Sequence, residues 1–223
     1  MDNSKYMYNQ QPIQTSSFYN RNYSMNYPVR YPDKLVAYSQ TQQSASNQTP
    51  MYYIAEVPIG LAKSLEGKYF VGMAENLKFG DATNTWARLY NPPGSGVNLF
   101  VNVWTAGDIT SSPFRVQIFF NPTAPGIIQE SNFVTPANTS ITPLPQPRVK
   151  LEYAVGVQGM PHDGIMAFSR NGMAGATINS EEQGKFIFPP GGSFLVLLSN
   201  PETPTIPAIG KIAFGWWEEP IQQ

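Results

Sequence analysis

The sequence predicts an all-β protein: a jelly-roll-like two-sheet sandwich carrying an extended N-terminal arm. Three observations lead there. Short apolar blocks with a period of two recur from Met51 onward, split by Gly, Pro and Asn. The 18 glycines and 21 prolines suit a loop-rich sandwich and disfavour a helical bundle. Residues 1–50 are rich in Asn, Gln, Ser and Tyr and sustain neither period. The predicted organisation is an arm over 1–50 and a β-sandwich domain over 51–223. SQTQQSASNQTP (39–50) is a polar linker that ends at Pro50.

Taken in order, GKYFVGM (67–73) and NTWARLYN (84–91) are the first strands, the second closed by Pro92–Pro93–Gly94. VNLFVNVWT (97–105) puts Val97, Leu99, Val101 and Val103 on one face, and Asn98, Phe100, Asn102 and Trp104 on the other. PFRVQIFFN (113–121) puts Phe114, Val116, Ile118 and Phe120 opposite Arg115 and Gln117, with AGDITSS as a hairpin loop between these two strands. SNFVTP (131–136) is short. ITPLPQP (141–147) has three prolines that cannot donate ladder bonds, so it is a connection or an edge. PRVKLEYAVGVQ (147–158) points Val149, Leu151, Tyr153, Val155 and Val157 inward. GIMAFSR (164–170), AGATINS (174–180) and GKFIFP (184–189) are three shorter strands. GSFLVLLSN (192–200) is apolar enough to be covered on both faces. AIGKIAFGWWEE (208–219) closes the sandwich. Helical spacing is confined to EVPIGLAKSLEG (56–67), through Ile59, Leu61, Ala62 and Leu65. Nine or ten strands in about 165 residues fit a jelly roll first and an immunoglobulin-like sandwich second.

Composition excludes several functions. Charged residues make up 13% of the chain, against a usual share of roughly 25%, and the net charge is −1. No basic excess exists to pair with phosphates, so nucleic acid is not an expected partner. There is no cysteine and one histidine, His162, which removes thiolate chemistry, disulfides and His-rich metal centres. No apolar run approaches the roughly 20 residues of a membrane span, and no secretory signal is recognisable at the start.

Catalytic constellations are weak. PPGSGV (92–97) lacks the leading glycine of a nucleophile elbow and reads as a turn. His162–Asp163 sits in MPHDG, another turn. Glu181–Glu182 and Glu218–Glu219 read as solvated charges rather than a glycosidase pair. No enzyme activity, cofactor or metal is expected. The adjacent Trp216 and Trp217 must point to opposite faces of a strand, one into the core and one outward, where it serves a subunit contact or a ligand.

The arm carries Tyr6, Tyr8, Tyr19, Tyr23, Tyr27 and Tyr31. Ordering roughly thirty residues at about 1–2 kcal/mol each outweighs six buried rings at about 4–6 kcal/mol each. The expectation is an arm that orders only on an assembled partner surface, its tyrosines seated between subunits. The expected subunit contacts are those six tyrosines with Trp216 and Trp217.

The segments KYFVGMAENLKFGDATNTWARLYNPPGSGVNLFVNVWT, PQPRVKLEYA, GKFIFPPGGSFLVLLSNPETP and IAFGWWEEP resemble an uncharacterised β-protein family of endospore-forming bacteria, over residues 52–220. The resemblance brings no catalytic residues. The layout is also similar to subunits of spore-surface appendage fibres, which are jelly rolls with an N-terminal connector inserted into neighbours. Those fibres are often cross-linked by cysteines, which this chain lacks. Small viral capsid subunits share the layout too. The function these likenesses imply is a self-assembling structural subunit of an extracellular or spore-surface fibre. Its partner is itself, with other surface-layer or spore-coat proteins as further partners. The alternatives are a capsid-like shell subunit and a lectin-like carbohydrate-binding module.

Overall fold

The computed structural model describes residues 56–110 and 112–221. The boundary expected at 50/51 and the six arm tyrosines lie outside them. The described residues from Val57 onward form one compact unit. Among the described residues one helix, α1 (Ile59–Leu65), precedes eleven strands: β1 (Tyr69–Phe79), β2 (Asn84–Tyr90), β3 (Val97–Asp108), β4 (Phe114–Phe120), β5 (Gln129–Glu130), β6 (Val134–Pro136), β7 (Lys150–Val157), β8 (Ile165–Gly172), β9 (Thr177–Phe188), β10 (Ser193–Ser199) and β11 (Ala208–Pro220).

The strands form two antiparallel sheets, β6-β1-β11-β3-β9 and β5-β7-β2-β10-β4-β8. Removing β5, β6 and β7 leaves the eight-strand jelly-roll order. The pairing is nested: β1 with β11, β2 with β10, β3 with β9, and β4 with β8. The chain therefore runs out through four strands and returns through four, as one long ribbon rolled into a sandwich. The excursion between β4 and β8 widens both sheets, laying β6 beside β1 and β7 beside β2.

The main core fills the space between the sheets, with Trp104, Phe194, Phe214 and Trp216 among its rings. A second apolar cluster lies on the outer face of the larger sheet: Trp86, Phe119, Ala154, Val157, Leu195 and Leu197. The 121–128 segment covers it, and Trp86 Nε1 donates to the Pro125 carbonyl at 2.7 Å. Strand β10 feeds both clusters, and all seven of its residues are buried, as its apolar run predicts.

Several expectations need correction. AGDITSS is not a hairpin loop, because β3 and β4 belong to different sheets. AGATINS and GKFIFP are one strand, β9, interrupted where Val101 pairs with Phe186 but Val103 pairs with Glu181. Strand β3 also changes phase. Asn102 is an extra residue between the Val101–Trp216 and Val103–Gly215 pairs, so Val103 turns outward and Trp104 turns into the core. A similar shift near Gly156 exposes Val155 and sends Val157 to the outer cluster. Helix α1 is inverted: Ala62 and Lys63 are buried, while Ile59, Leu61 and Leu65 face outward.

Two carboxylates read as solvated are buried. Glu182 accepts from Trp104 Nε1 at 3.1 Å and Ser180 Oγ at 2.7 Å. Glu218 accepts from the backbone N–H groups of Arg148 and Val149 and from Trp216 Nε1. It thereby holds the chain just ahead of β7 against β11. Burial pushes the Glu218 carboxyl above its ordinary value, against the lowering effect of those three donors and the Arg148 charge.

Gly184 has a φ of 76°, and a Cβ there would overlap the Trp217 ring. Gly175 has a φ of 69° with open space around it. Gly184→Ala is expected to cost about 2–5 kcal/mol, the left-handed backbone term plus overpacking, whereas Gly175→Ala costs the backbone term of about 1–2 kcal/mol alone. Denaturant midpoints of the two variants check this. Because the folded pKa of Glu218 is raised, its stabilising contribution is complete below the ordinary carboxylate value and is lost as pH rises through the folded value. The stability of wild type relative to Glu218→Gln should accordingly fall from pH 4 to pH 7, as read by urea unfolding at each pH.

Candidate functional site: an apolar groove beside the N-terminal helix

The outer face of the smaller sheet is built in cross-strand rows. Tyr69, Trp217 and Phe100 make the first, Val71, Gly215 and Val103 the second, and Met73, Ala213 and Thr105 the third. The first row is closed. Phe100 and Trp217 stack with centroids 5.3 Å apart and planes at 7°. Tyr69 lies along the row and its hydroxyl accepts from Asn102 Nδ2 at 2.7 Å. Burial pushes the Tyr69 hydroxyl above its ordinary value; the Asn102 hydrogen bond opposes this and the Glu181 charge adds to it.

The Tyr69 hydroxyl reaches over Gly215 in the second row, and beyond it the surface of the second and third rows is concave. Their central strand carries only Gly215 and Ala213, which leave the floor low, and a Cβ on Gly215 would overlap the Tyr69 hydroxyl. Segment 132–135 forms one wall, where Phe133 is 55% exposed. The groove has a volume of about 600 Å³ and no charged lining residue.

Helix α1 stands at the closed end, where Gly60 lies against the Tyr69 ring and the Asn102 amide. A four-charge cluster fixes it there. Lys63 Nζ sits 3.1 Å from Glu66 and 2.5 Å from Glu219, and Lys68 Nζ sits 2.8 Å from Glu66 and 3.0 Å from Glu219. Burial raises the Glu66 carboxyl, but hydrogen bonds and charges from Lys68 and Lys63 together hold it below the ordinary value. Burial lowers Lys68, but hydrogen bonds to Glu66 and Glu219 and their charges together raise it above the ordinary value. The sequence gives no local cue to this cluster, since Glu219 is far from Lys63 along the chain.

Of the residues singled out as contacts, Trp216 is 0% exposed in the core and Trp217 is 5% exposed on the outer face. The pair does point to opposite faces, as alternation requires. The outward ring is nevertheless covered by its own chain, and neither indole offers a surface to a neighbour here. The six tyrosines fall outside the described residues. His162 and Asp163 are brought together, Nδ1 to Oδ2 at 2.6 Å, because Asp163 adopts a φ of 60° in the turn. Both side chains stand in open solvent. PPGSGV is the expected turn, closed by Ser95 N–H on the Pro92 carbonyl.

Lys63 is almost fully buried, so Lys63→Ala removes a packed side chain and one of the two cations shared by Glu66 and Glu219, and is expected to cost about 2–5 kcal/mol. Lys68 is one-third exposed, and Lys68→Ala should cost under about 1 kcal/mol. Thermal unfolding of both variants tests the asymmetry.

Neither a curated protein nor a solved structure gives a match to the chain. A family profile does match, over residues 42–223, and so reaches ten residues further upstream than the resemblance read from the body. By that match the chain belongs to the family of unknown function DUF6143.

Proposed function

We propose that the chain is a self-assembling structural subunit of an extracellular or spore-surface fibre, in which residues 1–50 link each copy to its neighbours. The observation that carries this reading is the inverted helix at the junction of arm and body. Ile59, Leu61 and Leu65 are 38%, 51% and 60% exposed, while a lysine on the same helix is buried. A short helix held in that orientation by a charge cluster suits a junction that is covered in an assembly. The near-zero net charge supports the same reading, because it offers little repulsion between copies. The partner is a second copy of the chain, and other surface-layer or spore-coat proteins are further partners. Neither nucleic acid nor membrane is a partner in this reading.

A closed shell is the second reading, favoured by the eight-strand jelly-roll order. The lectin-like alternative asked for an open tryptophan face, and both C-terminal indoles are buried.

Negative-stain microscopy and sedimentation velocity of the full chain, beside a chain lacking residues 2–35, test the proposal. The full chain should form extended fibres. The shortened chain should sediment as a monomer with an unchanged unfolding temperature. Fibres from the shortened chain would end the arm reading, and closed particles from the full chain would favour the shell.

A further inference from the structure

Within the assembly reading, on which this inference rests, the receiving surface can be named. We propose that the groove between Phe133 and Val103 binds residues 6–20 of the arm of a second copy. That stretch, YMYNQQPIQTSSFYN, is fifteen residues without a charge. It carries Tyr6, Tyr8, Phe18 and Tyr19 as anchors. The groove has no charged lining residue either, so neither side strands a charge on docking.

Size agrees as well. A volume of about 600 Å³ falls inside the range of about 300–1,000 Å³ for pockets that enclose a ligand, and accepts more than one ring. Polar rim groups suit tyrosine in particular: Asn132, Thr135 and Thr105 can meet its hydroxyl while the ring covers Ala213.

Chain length allows the arm to reach a second copy. The groove lies one row from the place where α1 packs. Thirty-five residues separate Asn20 from Glu56. Extended, they span about 115–125 Å at the usual rise per residue. That tether is far longer than the chain's own groove requires, and long enough to cross to a neighbour.

The test uses complementary chains in sedimentation velocity. Phe133→Asp and Val103→Lys alter outward side chains and block the groove while keeping the arm. A chain lacking residues 2–35 keeps the groove and loses the arm. Each alone should be monomeric, and a groove-blocked chain should show no dimer with another. A groove-blocked chain mixed with the shortened chain should form a dimer with one copy of each. Tyr19→Ser should weaken that pairing about 30-fold, the loss expected for one removed anchor.

If the shortened chain assembles by itself, the assembly reading falls. If arm deletion stops assembly but Phe133→Asp and Val103→Lys assemble like wild type, the groove assignment falls and the arm reading survives. Cross-links from residues 6–20 to segment 132–135 found only within single chains would also overturn the assignment.

Discussion

Four consecutive residues on β11 tie the body together, and their alternation on one central strand is the constraint everything else obeys. Trp216 enters the core beside Phe70, with ring centroids 5.9 Å apart. Trp217 turns the other way and closes the outer row against Phe100. Glu218 holds the backbone just ahead of β7. Glu219 holds the two lysines that anchor α1. Strand β11 pairs with both β1 and β3, so these four attachments sit at the middle of the smaller sheet rather than at its rim. The nested pairing makes the first strand wait for the last, since β1 has β11 as its long partner and only three residues of β6 on its other side. Such long-range pairing closes large loops before it gains contacts, which places the fold among slow-forming topologies.

The parts of this fold legible in the sequence are those fixed by composition within one strand. GSFLVLLSN could only be a strand buried on both faces, and β10 is that strand. Alternation also sorted Phe114, Val116 and Ile118 correctly. It failed at Trp104 and Val157. One inserted residue, opposed by a strand far away in the chain, reverses the faces of all that follow. Asn102 itself gives no local sign of this. Its amide is engaged by Tyr69, and the resulting kink lets both Asn102 and Val103 face outward.

The groove was illegible for a related reason. Its floor is Gly215 and Ala213, small residues inside an otherwise aromatic strand, and small residues on one strand are silent until the neighbouring strands supply walls. Conversely, WW drew attention by its chemistry and lies covered. The helix shows the same principle with charge. Apolar spacing in EVPIGLAKSLEG argued for Leu61 and Leu65 inward, but a buried Lys63 with two carboxylates fixes the opposite rotation. Rolling the helix over to hide its leucines would separate Lys63 from Glu219 and break the shared cluster.

That rigidity bears on the proposed assembly. With no cysteine, cohesion between copies would rest on burial and hydrogen bonds alone. A single ring in a groove gives modest affinity, because binding must first offset the ordering of the arm. Several anchors on one arm change the arithmetic, since each seated ring raises the effective concentration of the next. The receiving surface then needs to be fixed in shape, or the ordering cost would be met twice. The closed row of Tyr69, Trp217 and Phe100, the glycine floor and the charge-clamped helix are all rigid features of one face. An arm that docks on a groove already fixed in shape would leave the ordering cost on one side only.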